Sequence, residues 1–141
     1  MLKEIKYFEE WKPVEEFEGL YEVSNFGRVR SLNHKRANRY SYYIQKGRIL
    51  KSGLNKKTGY WTVVLSKNGK YFTKRVHQLV AKAFIPNPNN YPCVNHKDEN
   101  KNNNKFDNLE WCTYKYNNNF GSRNKRISIS LSKKCNCDRK W

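Results

Sequence analysis

Around Val76 the hydrophobic period of this chain switches from two to 3.6, and that switch restricts what it can fold into. Tyr60 to Ser66 and Lys70 to Val76 read as strands flanking Lys67-Asn68-Gly69. Asn-Gly tolerates the positive φ angles of a tight hairpin turn. Val76, Leu79, Val80, Ala83 and Phe84 then fall at i, i+3, i+4, i+7 and i+8, one apolar helix face, which Pro86 and Pro88 end. A hairpin running straight into an amphipathic helix predicts an α+β protein.

The flanking segments extend that reading. Upstream, Tyr21-Glu22-Val23 alternates, Asn25-Phe26-Gly27 supplies a turn, and Arg28 to Leu32 alternates again, which predicts a small antiparallel β-rich N-terminal module. Asn33 to Lys46 shows no period and reads as a loop, with a short strand at Arg48 to Lys51 before a Gly53/Gly59 loop. Downstream, Pro92 to His96 and Leu109 to Thr113 read as strands around a polar loop, Lys97 to Asp107. Tyr114 to Phe120 begins a helix that Thr113 can cap. At 141 residues this amounts to one domain, or two small modules sharing a modest core. Trp11, Trp61 and Trp111 read as core, and His77 as a packing or hydrogen-bonding residue.

Charge narrows the function. The chain carries 29 Lys or Arg against 12 Asp or Glu, a formal net charge of +17. Seven of the acids lie in residues 1–22, whereas Val23 through Lys97 contains 16 basic residues and no carboxylate. A basic field of that length, interleaved with aromatics, attracts a polyanion and gains affinity by releasing its counterions. The alternative is a merely solubilising surface. Arg28, Arg30, Arg48, Lys74, Arg75 and Lys97 are candidate DNA contacts. No run of 18 apolar residues occurs and the N-terminus is mixed and acidic, so neither a membrane span nor a secretory signal is expected. The expected location is the cytoplasm. Cys93, Cys112, Cys135 and Cys137 form no CxxC pair, and CxC is a poor zinc spacing; reduced, partly buried thiols are expected.

Phosphodiester cleavage needs a base for water, an ion to neutralise charge on the phosphate, and cations to hold the backbone. The segment 94–117 contains such groups: His96 can take a proton near neutral pH, and Asn95 and Asn117 offer amide oxygens suited to a hard cation. A strand pair followed by a helix can bring them together.

These residues also carry a resemblance. Val94 to Asn103, followed by Asn108-Leu109-Glu110-Trp111-Cys112-Thr113 and Asn117, resembles the motif of phage-type HNH homing endonucleases. Val76 to Phe84 resembles the helix that precedes that motif. Glu10 to Val14, Glu18 to Asn25 and Gly27 to Ser31 resemble a nuclease-associated module that such enzymes carry. The resemblance implies a ββα-metal nuclease centre that leaves a 5′-phosphate and a 3′-hydroxyl. It implies His96 as general base, Asn95 and Asn117 as metal ligands (Asn118 being the rival of Asn117), and Asn108 as the residue that fixes the loop and so orients the base. It further implies one Mg²⁺ or Mn²⁺ per site and double-stranded DNA as substrate, with no small-molecule substrate. A monomer would nick one strand, in the host cell if the gene is viral.

The expected organisation is a β-rich module at 1–56, the nuclease unit at 57–121, and a basic tail at 122–141 read as a shortened DNA-binding extension. Two departures from the family pattern bear on activity. Asn95 replaces an Asp that many members use, removing a negative charge from the metal site. Glu99 stands where Gly is frequent, in a loop expected to need positive φ; Asp98 and Glu99 are alternative carboxylate donors. A catalytically decayed DNA-binding protein and an RNA-binding protein are the competing readings.

Overall fold

The computed structural model describes residues 8–129; Cys135 and Cys137 lie outside the described residues. The chain is α+β, with four small antiparallel sheets among the described residues. β1 (Trp11–Pro13), β2 (Tyr21–Ser24) and β3 (Val29–Ser31) form the first sheet. β4 (His34–Ala37) and β5 (Tyr42–Gln45) form a separate hairpin. β6 (Gly53–Asn55), β7 (Tyr60–Lys67) and β8 (Lys70–Arg75) form the third sheet and lead directly into α1 (Val76–Phe84). β9 (Cys93–His96) and β10 (Leu109–Cys112) pair antiparallel, and α2 (Tyr114–Asn119) follows.

Local chemistry accounts for the central elements. Asn68 and Gly69 adopt φ of 52° and 74°, the left-handed pair that a two-residue hairpin loop requires. Along β7, Val63 and Leu65 are buried while Val64 between them is exposed, so the period of two points one face inward. Val76, Leu79, Val80 and Ala81 bury the inner stripe of α1. The Thr113 hydroxyl accepts from the Tyr116 N–H at 3.2 Å, capping α2.

One hydrophobic cluster runs through both halves of the chain. Val14, Phe17, Val23 and Val29 pack in the same core as Val63, Leu65, Val76 and Val80. The Tyr21 hydroxyl reinforces the junction by accepting from the Ser66 N–H at 3.0 Å.

Three expectations need correction. Residues 33–46 are not a loop: β4 and β5 pair from His34 opposite Gln45 to Ala37 opposite Tyr42. Their side chains are largely exposed on both faces, so no burial pattern marked the strands in the sequence. Arg48 to Lys51 does not form a full strand. It makes one bridge, Ile49 to Arg30, and the strand lies further on at Gly53–Asn55. Trp61 and Trp111 do pack on the core, but Trp11 lies at its edge, with the Arg30 guanidinium 4.2 Å from its ring centroid.

Candidate active site

β9, the loop that follows it and α2 form one wall of an open cleft of about 960 Å³, which Tyr60, Asn95, His96, Asn117, Arg123 and Arg126 line. The Tyr60 ring comes from the start of β7 and stacks 6.1 Å from the His96 imidazole. The fold therefore brings Asn95, His96 and Asn117 to one cleft. Asn118 lines it too, but its side-chain oxygen accepts from Arg123 at 3.0 Å.

His96 is 5 % exposed, and its Nε2 lies 2.9 Å from Asn104 Oδ1. An amide oxygen can only accept, so Nε2 carries the proton and Nδ1 is the basic nitrogen. Burial holds the imidazole below its ordinary pKa, against the opposing pull of Asn104 and Asp98. The ring is therefore neutral at pH 7 and able to accept a proton.

Asn108 acts one step further back. Its Nδ2 donates to Asp98 Oδ1 and to the Asn103 carbonyl, both at 2.9 Å, and its Oδ1 accepts from the Asp98 N–H at 3.1 Å. It thereby pins the residue next to Asn104, which in turn holds His96. Asp98 also accepts from Asn100 N–H and Asn103 Nδ2, and these bonds keep its carboxyl below its usual range. Glu99 does have positive φ, at 60°. Its carboxylate accepts from the Ser122 N–H and hydroxyl at 2.8 and 3.0 Å and lies 3.5 Å from Arg126. Asp98 is thus committed to the loop, whereas Glu99 binds the following segment through Oε1 and also lines the cleft. Among the described residues no group of three His, Cys, Asp or Glu side chains could hold a metal ion. The oxygen donors lining the cleft are chiefly amides, with the Glu99 carboxylate beside them.

The candidate DNA contacts divide into two sets. Arg28 is ion-paired with Glu9, Arg30 with Glu22, and Lys74 with Glu16. The acidic N-terminal segment thus neutralises cations of the carboxylate-free stretch, and these three are not presented as unpaired charges. Arg48 and Lys97 are exposed. Arg75 and Lys101 lie over the Tyr60 ring at 5.1 and 4.4 Å, placing charge beside the cleft.

Sequence reasoning missed Asn104, Tyr60, Lys101, Arg123 and Arg126. Asn104 is one of three consecutive asparagines, and only the path of the loop singles it out. Cys93 and Cys112 are free thiols, paired across β9 and β10. Burial, then the Cys93 and Glu110 charges, push the Cys112 pKa up to about 11.

His77 lies behind the site, 3 % exposed, with ring centroids 4.7 Å from Tyr60 and 5.1 Å from His96. Its Nδ1 is buried without a hydrogen-bond partner. Burial, then the charges of His96, Arg75 and Lys101, lower its pKa from 6.5 to about 3. Below pH 6.5 the unfolded chain therefore binds a proton that the folded chain refuses. Stability should fall as pH drops from 6.5 towards 3, by about 2 kcal/mol at pH 5. Urea titrations at pH 7 and pH 5 check this. His77→Phe should abolish that part of the difference, and an undiminished slope in the variant would refute the assignment.

Known proteins resemble this chain in motif, sequence and fold. Residues 9–66 match the NUMOD4 motif. The chain is 41 % identical over 114 residues to an uncharacterized HNH endonuclease of Acanthamoeba polyphaga mimivirus, covering 81 % of this chain and 30 % of that protein. It is 41 % identical over 108 residues to the DNA endonuclease I-HmuI of Bacillus phage SP01, covering 77 % of this chain and 55 % of the relative. The structure described as DNA binding and cleavage by the HNH homing endonuclease I-HmuI superposes with a TM-score of 0.61 at 34 % identity, over 85 % of this chain and 66 % of that one. The chain thus spans about a third to a half of the length of these curated relatives. The chain is thus a homologue, in sequence and fold, of HNH homing endonucleases, and it carries a NUMOD4 motif.

Proposed function

We propose that this chain is a metal-dependent endonuclease that hydrolyses phosphodiester bonds in double-stranded DNA, with the cleft beside His96 as its active site. The observation that carries this reading is a buried imidazole, held by Asn104 with Nδ1 basic, in a cation-rimmed cleft that also presents Asn95 and Asn117. Relatives named as DNA endonucleases support the substrate class.

Asn95 and Asn117 would hold one Mg²⁺ or Mn²⁺, since both offer the neutral oxygen donors that suit a hard cation. Arg123 already occupies the oxygen of Asn118, which favours Asn117 as the helix ligand. When bound, the ion neutralises charge on the scissile phosphate and the leaving oxygen. His96 takes the proton from the attacking water at Nδ1, and the Asn104 contact keeps that tautomer. Asn108 holds the loop that carries Asn104. Arg75, Lys101 and Arg123 hold the DNA backbone, with Arg48 and Lys97 as outlying contacts. One base and one ion serve one phosphate, so a monomer nicks one strand. The products carry a 5′-phosphate and a 3′-hydroxyl.

The division at residues 56 and 121 is a functional one, between a DNA-positioning module, the nuclease and a basic tail. The viral and phage relatives favour action in the cytoplasm of a host cell. No described helix is long and apolar enough to cross a membrane.

Supercoiled plasmid incubated with the protein and Mg²⁺ or Mn²⁺ should convert to the open-circle form, and EDTA should stop the conversion. A protein that retards plasmid in a gel but never nicks it, with either ion, would be a binding protein instead.

A further inference from the structure

Asn95 and Glu110 stand directly opposite each other in the β9–β10 ladder, so their side chains share one face. The Asn95 Nδ2 donates to Glu110 Oε1 at 2.8 Å. A carboxylate has nothing to donate, so the amino end of the amide must face Glu110. The carbonyl end is thereby left for the cleft that Asn95 lines. Without that anchor the amide could turn over and present N–H groups, which repel a cation.

Asp98 is committed to the loop and Glu99 binds Ser122, whereas Glu110 is the acid hydrogen-bonded to Asn95.

We propose that Glu110 is a positioning residue for divalent-ion binding: it fixes the Asn95 amide with its oxygen towards the cleft. It also supplies, from behind the ligand, the negative charge that Asn95 itself lacks. A carboxylate hydrogen-bonded to the far side of a ligand raises the basicity of the ligating atom, and losing such a partner costs about 10–100-fold in metal affinity. The inference rests on Asn95 and Asn117 being the ion's ligands.

The test is Mn²⁺ binding, followed by electron paramagnetic resonance, to the full chain on a mixed-sequence phosphorothioate duplex that resists cleavage. DNA affinity in EDTA and the thermal melt are measured alongside. Glu110→Ala should weaken Mn²⁺ binding about 10–100-fold with DNA affinity and melt unchanged. Glu110→Gln keeps an acceptor for Asn95 and loses only the charge, so it should fall between the two. Asn95→Asp would set two carboxylates face to face; adding Glu110→Gln restores a donor–acceptor pair, so the double variant should bind Mn²⁺ more tightly than Asn95→Asp alone.

Should Glu110→Ala lose its native melt, the ordering of the near-isosteric Asp and Gln variants decides. Wild-type Mn²⁺ affinity in a folded Glu110→Ala, or no gain in the double variant, overturns the proposal. If Asn95→Ala and Asn117→Ala still abolish Mn²⁺ binding in that case, the ligand assignment stands without it. Mn²⁺ binding that survives both of those alanine variants would remove the ligand assignment and this proposal together.

Discussion

Replacing His96 by alanine is expected to lower the rate of DNA cleavage by about 10²–10⁴-fold, the usual contribution of a general base, while leaving DNA affinity within about twofold. The imidazole is the group in the cleft whose tautomer is set, through Asn104, to leave a basic nitrogen. Little binding energy should go with it, because His96 is buried and the cations that meet the backbone come from Arg75, Lys101 and Arg123. Single-turnover cleavage of plasmid with saturating Mn²⁺, beside a gel-shift titration in EDTA, separates the two quantities. A His96→Ala protein that cuts at the wild-type rate would dispose of the mechanism. One that loses DNA binding to the same degree as cleavage would make His96 a binding residue.

The second large effect is on stability. Leu65→Ala should destabilise the protein by about 3 kcal/mol, within the 2–5 kcal/mol range for truncating a buried leucine, and lower the melting temperature by roughly 10 °C. Leu65 has no exposed surface and lies in the cluster that joins Val14, Phe17, Val23 and Val29 to α1. A cavity there withdraws contacts from the NUMOD4 region and the nuclease region together. Unfolding should therefore remain a single transition at a lower temperature. Val64→Ala, one residue away and 57 % exposed, should change stability by less than about 1 kcal/mol. Urea unfolding followed by tryptophan fluorescence and by far-ultraviolet circular dichroism compares them. Two separated transitions, or equal losses at 64 and 65, would contradict a shared core.

How far the sequence was legible follows from which physical signals are local. The β7–β8 hairpin is written in Asn68-Gly69 and the alternation of Val63, Val64 and Leu65; α1 is written in a 3.6-residue stripe. The cap at Thr113 and the positive φ at Glu99 were also readable, since each depends on a few adjacent residues. The β4–β5 hairpin was not, because exposed Tyr40, Tyr42 and Ile44 leave no buried face to impose a period. Nor was the pairing of Arg28 and Lys74 with Glu9 and Glu16, which depends on how the acidic N-terminal segment lies across the sheets.

The sequence by itself determined the order of elements, the segment that forms the site and the residue types gathered there, because periodicity, turn chemistry and side-chain chemistry are properties of short stretches. Only the tertiary structure decided which partner each asparagine meets. Asn104 holds the imidazole, Asn108 holds the loop, Asn95 leans on Glu110, and Asn118 is taken by Arg123. Identical side chains in a polar run differ only in the partners that the folded backbone sets within hydrogen-bonding reach, and those partners lie up to 15 residues away.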